Sequence, residues 1–148
     1  MSTNNEFKFV QFDQLDEVTQ KFIKESVRMM EFAYCPYSNF QVGAIVETTN
    51  GNQYTGCNVE NIGHTPAICA ERTAIAKAVS CGDRELAKVA VSAVVKEPNV
   101  ISPCGVCRQV IKEFCPKDGD VTIYLTTPRL DKVMITSLNQ LLPYSFPM

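Results

Sequence analysis

Two short cysteine-containing segments, each at the predicted start of a helix, place the strongest constraint on how this chain can fold. They are Cys69-Ala70-Glu71 and Pro103-Cys104-Gly105-Val106-Cys107. Cys104 and Cys107 are three positions apart, a spacing that places both sulfur atoms on one helix face, one turn apart. Thiolates at helix N-termini are stabilised by the free backbone N–H groups and the helix dipole. We therefore expect the fold to bring the two helix starts together.

Three converging thiolates predict a zinc ion bound by Cys69, Cys104 and Cys107. Three protein ligands leave one tetrahedral position for water, which is typical of a catalytic rather than a structural zinc site. Zinc makes such a water more acidic, and Glu71, two positions after the first ligand, can move its proton. The order Cys-x-Glu followed by Pro-Cys-x-x-Cys is that of zinc deaminases. The pattern therefore indicates a deaminase with Glu71 as its catalytic residue.

Arg72 follows the predicted catalytic residue directly. Three thiolates on Zn²⁺ leave a net charge of about −1, which makes bound water less acidic. Hydrogen bonds from a guanidinium to the sulfur atoms would offset this charge. We expect Arg72 to have this role, and the alternative is an ordinary exposed arginine on a helix.

A closed zinc site that only stabilises the fold is the structural alternative, and it needs a fourth ligand. The candidates for this ligand are Cys57, Cys81, Cys115 and His64, none of them closely spaced to the others. The four cysteines outside the two motifs are instead expected to be small, buried and reduced, and they are Cys35, Cys57, Cys81 and Cys115.

Length and composition indicate one globular domain over residues 1–148, with residues 1–12 expected to be flexible. The net charge is −2 and the basic residues do not cluster, so we expect no nucleic-acid partner. No apolar run resembles a signal peptide or a membrane span, so we expect a cytoplasmic protein without a membrane partner.

Helical and extended patterns alternate along the chain. Helices are predicted over 13–33, 69–80, 103–114 and 137–142, with Pro103 at the first position of the third. Strands are predicted over 40–48, 53–58, 88–95, 121–125 and 133–136. This order favours an α/β fold of three layers (α/β/α), with helices on both faces of a mixed five-stranded sheet.

The sequence resembles the small cytidine deaminases of pyrimidine salvage over residues 34–146. The matching stretches are YCPYSNF from Tyr34, VGA from Val42, GCNVEN from Gly56, ICAERTAI from Ile68, ISPCGVCRQ from Ile101 and LLP from Leu141. This resemblance implies zinc-dependent hydrolytic deamination of free cytidine and deoxycytidine, a cytidine deaminase-like fold and a homotetramer.

The resemblance also implies roles for five further residues. Asn58 and Glu60 correspond to the pair that hydrogen-bonds the ribose 3′-hydroxyl, which an amide and a carboxylate suit chemically. Phe40 corresponds to the ring that packs against the pyrimidine. The backbone of Ala70 and of Ser102 is expected to meet the edge of the base, with the Ser102 carbonyl near the exocyclic amine.

Two positions depart from the family pattern. In the family, a C-terminal aromatic residue of a neighbouring subunit covers the substrate, and Phe146 is expected to have this role. The ending Tyr144-Ser145-Phe146 has one inserted residue, so Tyr144 is the alternative. His64 stands where the family commonly has tyrosine, and it is either a stacking or hydrogen-bonding group or a loop residue without a role.

Three other functions are compatible with the zinc motif. A blasticidin-type deaminase would share the chemistry, but it resembles this chain less in the segment that contains Asn58 and Glu60. A nucleic-acid editing or binding module would require a basic groove. A zinc-stabilised interaction domain would require neither Glu71 nor an open metal position.

Overall fold

Six strands form one mixed sheet in the computed structural model of the chain, which describes residues 7–146. The strands are β1 (Lys8–Gln11), β2 (Val42–Thr48), β3 (Gln53–Cys57), β4 (Leu86–Ala93), β5 (Thr122–Thr126) and β6 (Lys132–Ser137). Their order across the sheet is β1-β6-β5-β4-β2-β3. β4 and β5 are parallel, and every other neighbouring pair is antiparallel.

Four α-helices accompany the sheet, namely α1 (Glu17–Met29), α2 (Ala70–Ser80), α3 (Gly105–Glu113) and α4 (Leu138–Leu141). The predicted first helix is shorter than expected, because one-turn 3₁₀ segments flank it at Phe12–Gln14 and Met30–Phe32. Ser137 caps α4 by accepting a hydrogen bond from the backbone of Gln140. Within the described residues, no helix is long and apolar enough to cross a membrane.

The placement of Pro103 at the first position of a helix was wrong. α3 begins at Gly105, and Cys104 is its N-cap with an extended backbone (φ −65°, ψ 168°). The Cys104 sulfur accepts a hydrogen bond from the backbone N–H of Cys107 and so occupies the capping position.

The predicted three-layer α/β/α architecture is confirmed, since alternate residues of the strands face two separate cores. On β2, Ala44 and Val46 pack into the core that contains Ala74 of α2 and Ile111 of α3. Ile45 points the other way, into the core that contains Phe22 and Ile23 of α1. This alternation follows from the two-residue period of a strand.

The strand count was wrong, because the sheet has six strands rather than five. The additional strand, β1, lies at an edge and pairs with β6, Lys8 lying opposite Ile135. It falls within residues 1–12, which were expected to be flexible, and residues 1–6 lie outside the described part of the chain. Its two apolar residues, Phe9 and Val10, are adjacent, so its sequence lacks the clear alternation that identifies a strand.

Two glycines allow helices to approach the sheet closely. A Cβ atom at Gly56 of β3 would collide with the carbonyl oxygen of Ala70 and the backbone nitrogen of Ala74, both in α2. A Cβ atom at Gly43 of β2 would collide with the Ser26 carbonyl in α1. The glycine on β3 thus fixes how close the first turn of α2 lies to the sheet.

Candidate active site

The three motif cysteines meet where two helices begin. Cys69 is the N-cap of α2, Cys104 is the N-cap of α3, and Cys107 lies in the first turn of α3. Their Sγ atoms all lie within 4.8 Å of one another. A tetrahedral zinc ion with Zn–S bonds of about 2.3 Å separates its sulfur ligands by about 3.8 Å. The predicted convergence is confirmed, and three thiols at this spacing fit zinc.

The cluster has three candidate ligands and not four. Within residues 7–146 it is the one group of at least three His, Cys, Asp or Glu side chains close enough to share a metal ion. The side chains considered for a fourth ligand lie outside it, and they are Cys57, Cys81, Cys115 and His64. The arrangement therefore lacks the complete ligand set of a closed structural site.

The four other cysteines are all free thiols, but their expected burial is only partly correct. Cys115 is buried, and Cys35 and Cys57 are half-buried. Cys81 is exposed, because it lies at the C-terminal cap of α2 beyond the last turn that packs on the sheet.

Arg72 lies against the thiol of Cys69. Its Nη2 atom donates to Sγ of Cys69 and to the carbonyl oxygen of Ala67, each at a distance of 3.4 Å. The pKa of Cys69 is lowered to about 5, first by a hydrogen bond from Cys107 and further by Arg72. Nε of Arg72 is buried and has no partner among residues 7–146, so the guanidinium has a further donor beside the sulfur atoms.

Glu71 is the second residue of α2 and is only 4% exposed. Burial raises the pKa of its carboxyl group, and the negative charge of Cys69 raises this pKa further. A carboxyl group that keeps its proton closer to neutral pH is suited to general acid–base catalysis.

A cavity of about 570 Å³ opens beside this cluster, within the size range of small-molecule sites. Its walls include these residues predicted from the sequence: Phe40, Asn58, Glu60, Cys69, Ala70, Glu71, Arg72, Ser102 and Cys104. Apart from His64, its other wall residues were not predicted from the sequence, and they include Val42, Val59, Ile68, Ile101 and Val106. They are apolar residues, whose side chains neither bind metals nor transfer protons, so no catalytic motif identifies them.

Asn58 fixes the chain segment that carries Phe40. Its Oδ1 accepts from the backbone N–H of Val42 over 2.8 Å, and its Nδ2 donates to the carbonyl oxygen of Phe40 over 2.7 Å. One amide N–H and one oxygen lone pair remain for another partner. Phe40 itself is half-buried in the cavity wall just before β2.

Glu60 is held by Ser38. The Ser38 hydroxyl donates to Oε1 over 2.8 Å, and the Ser38 backbone N–H lies 3.2 and 3.3 Å from the two carboxylate oxygens. No role was predicted for Ser38, although it belongs to the matching stretch that begins at Tyr34. Its place in that stretch is the only feature of the sequence that could have pointed to Ser38.

Phe146 does not line the cavity of its own chain. It is 78% exposed, and its backbone N–H donates to Oε1 of Gln109 over 3.3 Å. Tyr144 is 96% exposed. Within one subunit, neither aromatic side chain is therefore part of the cavity wall.

His64 lies in the cavity wall, at its exposed side. Its backbone is in the left-handed region (φ 57°), and its N–H donates to the carbonyl oxygen of Asn61 over 3.0 Å. Residues other than glycine adopt this conformation only occasionally, and histidine is among those that adopt it more often. The loop geometry thus brings the imidazole to the edge of the cavity.

Comparisons with known proteins show which family the chain is similar to. Residues 16–123 match the family described as the cytidine and deoxycytidylate deaminase zinc-binding region. The cytidine deaminase of Sporosarcina psychrophila is 46% identical over 127 residues, which cover 86% of this chain and 90% of the relative.

Solved structures show the same fold. The crystal structure of cytidine deaminase from Burkholderia pseudomallei has a TM-score of 0.78 and 38% identity, covering 89% of this chain and 100% of that one. The structure of cytidine deaminase from Mycobacterium tuberculosis has a TM-score of 0.73 and 31% identity, covering 90% and 100% of the two chains. With three converging thiols, a buried glutamate and this similarity over most of its length, the chain belongs to the zinc-binding cytidine deaminase family of enzymes.

Proposed function

We propose that the protein hydrolyses free cytidine and deoxycytidine to uridine and deoxyuridine, releasing ammonia, with zinc held by Cys69, Cys104 and Cys107. The observation that carries this proposal is the buried Glu71 carboxyl group, which lines the same cavity as Cys69 and Cys104. Relatives named as cytidine deaminases support the choice of substrate.

Glu71 would move the protons of the reaction. When bound, zinc supplies a nucleophile near neutral pH by acidifying a water molecule. Glu71 accepts a proton from water and delivers it to N3 of the pyrimidine as the hydroxide adds to C4. It then takes the proton of the new C4 hydroxyl group and transfers it to the amino nitrogen, so that the C4–N bond breaks, ammonia leaves and a C4 carbonyl remains. Its raised pKa supports this role, because a carboxyl group that is too acidic would not return the proton.

The remaining wall residues would orient the nucleoside. Phe40 packs against the pyrimidine ring, and the backbone of Ala70 and the carbonyl oxygen of Ser102 meet the edge of the base. Asn58 and Glu60 bind the ribose 3′-hydroxyl, for which each retains hydrogen-bonding capacity. A carboxylate in this position favours an ordinary ribose over a blasticidin-type substrate.

We further propose a homotetramer in which Phe146 of a neighbouring subunit covers the nucleoside, with Tyr144 as the alternative. Both side chains are largely exposed in the single chain, as is Val106 in the cavity wall. Seven free thiols suit a reducing compartment, which supports a cytoplasmic location and a role in pyrimidine salvage.

The experiment is to add cytidine to purified, zinc-loaded protein and to follow the ultraviolet spectrum and ammonia release. We expect conversion to uridine, and we expect Glu71→Gln to keep its zinc while turnover falls about 10²-fold or more. Wild-type protein with bound zinc that leaves both cytidine and deoxycytidine unchanged would refute the proposed activity. A Glu71→Gln variant with normal turnover would refute the role of Glu71 alone.

A further inference from the structure

One guanidinium group, that of Arg108 in α3, binds three oxygen atoms from two separate parts of the chain. Nε donates to the carbonyl oxygen of Pro103 over 2.8 Å, and Nη2 donates to Oγ of Ser102 over 2.7 Å. Nη1 donates to the carbonyl oxygen of Leu141, the last residue of α4, over 2.8 Å. Arg108 is half-buried, which limits competition from water for these hydrogen bonds.

The peptide group between Ser102 and Pro103 has an unusual need for such support. Its nitrogen belongs to proline, so it has no N–H group through which a hydrogen bond could fix its plane. One edge of the Arg108 guanidinium instead holds the Ser102 hydroxyl on one side of this peptide group and the Pro103 carbonyl on the other. Both flanking positions are therefore fixed by a single rigid, planar group.

We propose that Arg108 is a positioning residue that sets the direction of the Ser102 carbonyl oxygen and thereby favours pyrimidine nucleosides with an amino group at C4. This inference rests on the proposed function, which places that carbonyl against the exocyclic amine. Arg108 itself acts through Ser102 and is not a cavity wall residue. Its third hydrogen bond, to Leu141, anchors the guanidinium against α4.

The test compares two nucleosides that differ only at C4. Cytidine has the amino group, whereas pyrimidin-2-one riboside has a hydrogen atom in its place. The variant is Arg108→Lys, which keeps the positive charge but cannot donate to three oxygen atoms from a planar fork. Arg84→Lys is the control, because Arg84 is an exposed arginine outside the site.

We expect Arg108→Lys to lower kcat/KM for cytidine by roughly tenfold. Its inhibition constant for pyrimidin-2-one riboside should stay within about twofold of the wild-type value, because that ligand has no amino group for Ser102 to recognise. Zinc content should stay unchanged, and Arg84→Lys should change neither value.

Ser102→Ala gives a second variant that does not depend on how well Arg108→Lys folds. It keeps the backbone carbonyl but removes the hydroxyl that Arg108 holds, so we expect the same selective loss. In the double variant, the fold-decrease in kcat/KM for cytidine should be clearly smaller than the product of the two single fold-decreases, because both changes act on one interaction.

The inference would be overturned if Arg108→Lys and Ser102→Ala weakened riboside inhibition by the same factor as they lowered kcat/KM for cytidine. A general disturbance of the site would affect both ligands in this way. If wild-type protein neither deaminates cytidine nor binds the riboside, the proposed function fails and this inference fails with it. Wild-type activity combined with equal losses contradicts only the role of Arg108.

Discussion

The hydroxyl of Ser38 donates a hydrogen bond to a carboxylate oxygen of Glu60 over 2.8 Å. Because the Ser38 backbone N–H also faces the carboxylate, the Glu60 side chain is held in one orientation at the cavity wall. Preorganisation of this kind reduces the entropy that binding would otherwise cost.

Replacing Ser38 with alanine should therefore weaken nucleoside binding more than it slows the chemistry. We expect KM for cytidine to rise about three- to tenfold, the equivalent of one hydrogen bond, with kcat changed less. Steady-state kinetics measure both values, and Ser80→Ala at the exposed end of α2 is the control. A fall in kcat with unchanged KM would show that Ser38 does not act through binding.

Arg72 should control how strongly protons compete with zinc. Arg72→Gln removes the hydrogen bond and the charge that help to lower the pKa of Cys69, so this pKa should rise. Zinc binds the thiolate form of cysteine, so we expect the affinity for zinc to fall by about 10- to 100-fold. As the pH is lowered, the variant should begin to lose zinc at a higher pH than the wild-type protein does.

A zinc titration against a chromophoric chelator between pH 5 and pH 8 would measure this shift. Lys77→Gln removes the same charge from an exposed position on the same helix and should leave the curve unchanged. Identical curves for the wild-type protein and Arg72→Gln would contradict the role of Arg72.

The Asp83 carboxylate should stabilise the β2–β3 hairpin in a pH-dependent way. It accepts hydrogen bonds from Tyr54, Asn52 and Asn50 at 2.7, 2.8 and 3.0 Å. These bonds lower the pKa of Asp83, and the hydrogen bond to Asp83 raises the pKa of Tyr54 to about 12.

The two shifts define the pH window of this stabilisation. A lowered folded-state pKa gives Asp83 a contribution that is present above its ordinary pKa of 3.8 and is lost as pH falls through the folded value. The raised pKa of Tyr54 gives a contribution that is complete below pH 10.0 and is lost as pH rises through about 12.

Tyr54→Phe should thus lower the melting temperature at pH 7, and the difference from the wild-type protein should shrink below the folded-state pKa of Asp83. Thermal unfolding followed by circular dichroism measures this, with Tyr34→Phe as the control because Tyr34 is exposed. A difference that stays constant down to the acid transition would contradict the assignment.

Gly56→Ala tests whether the close contact between β3 and α2 positions the site. The added Cβ would collide with backbone atoms of Ala70 and Ala74, which cannot move independently of α2. We expect a loss of about 1–3 kcal/mol in the free energy of unfolding, measured by urea denaturation, together with reduced zinc affinity.

Gly105→Ala is the matched control for this substitution, because no neighbouring heavy atom lies within 4 Å of the added Cβ. Its free energy of unfolding should stay the same or increase slightly. Equal effects of the two substitutions would show that the close approach of α2 is not the cause.

The cysteine cluster is well predicted from the sequence because most of its geometry depends on short-range spacing within a helix. Cys104 and Cys107 are one helical turn apart, and each helix start favours a thiolate wherever the helix lies. Cys69 lies on a different helix and reaches the cluster only because both helices pack on the sheet. The presence of both motifs in one chain nevertheless predicts that it does. The structure brings the three sulfur atoms together as expected.

Other features depend on contacts between distant segments, which composition and periodicity do not reveal. The edge strand β1 has only four residues, and its two apolar residues, Phe9 and Val10, are adjacent, so no alternation predicts its pairing with β6. Ser38 and Arg108 are ordinary polar residues until the fold places them against Glu60 and Ser102. Their proposed roles rest on hydrogen bonds between distant positions, 22 apart for Ser38 and Glu60 and 33 apart for Arg108 and Leu141.

The most direct test of the account is to measure zinc content and cytidine deamination together, on the same samples, during stepwise removal of metal by a chelator. We expect about one zinc per chain in active wild-type protein and parallel loss of metal and activity. Cys104→Ala should lack both, whereas Cys81→Ala, which changes an exposed cysteine outside the cluster, should keep both. Full deaminase activity in protein without zinc, or normal zinc content in Cys104→Ala, would contradict the account.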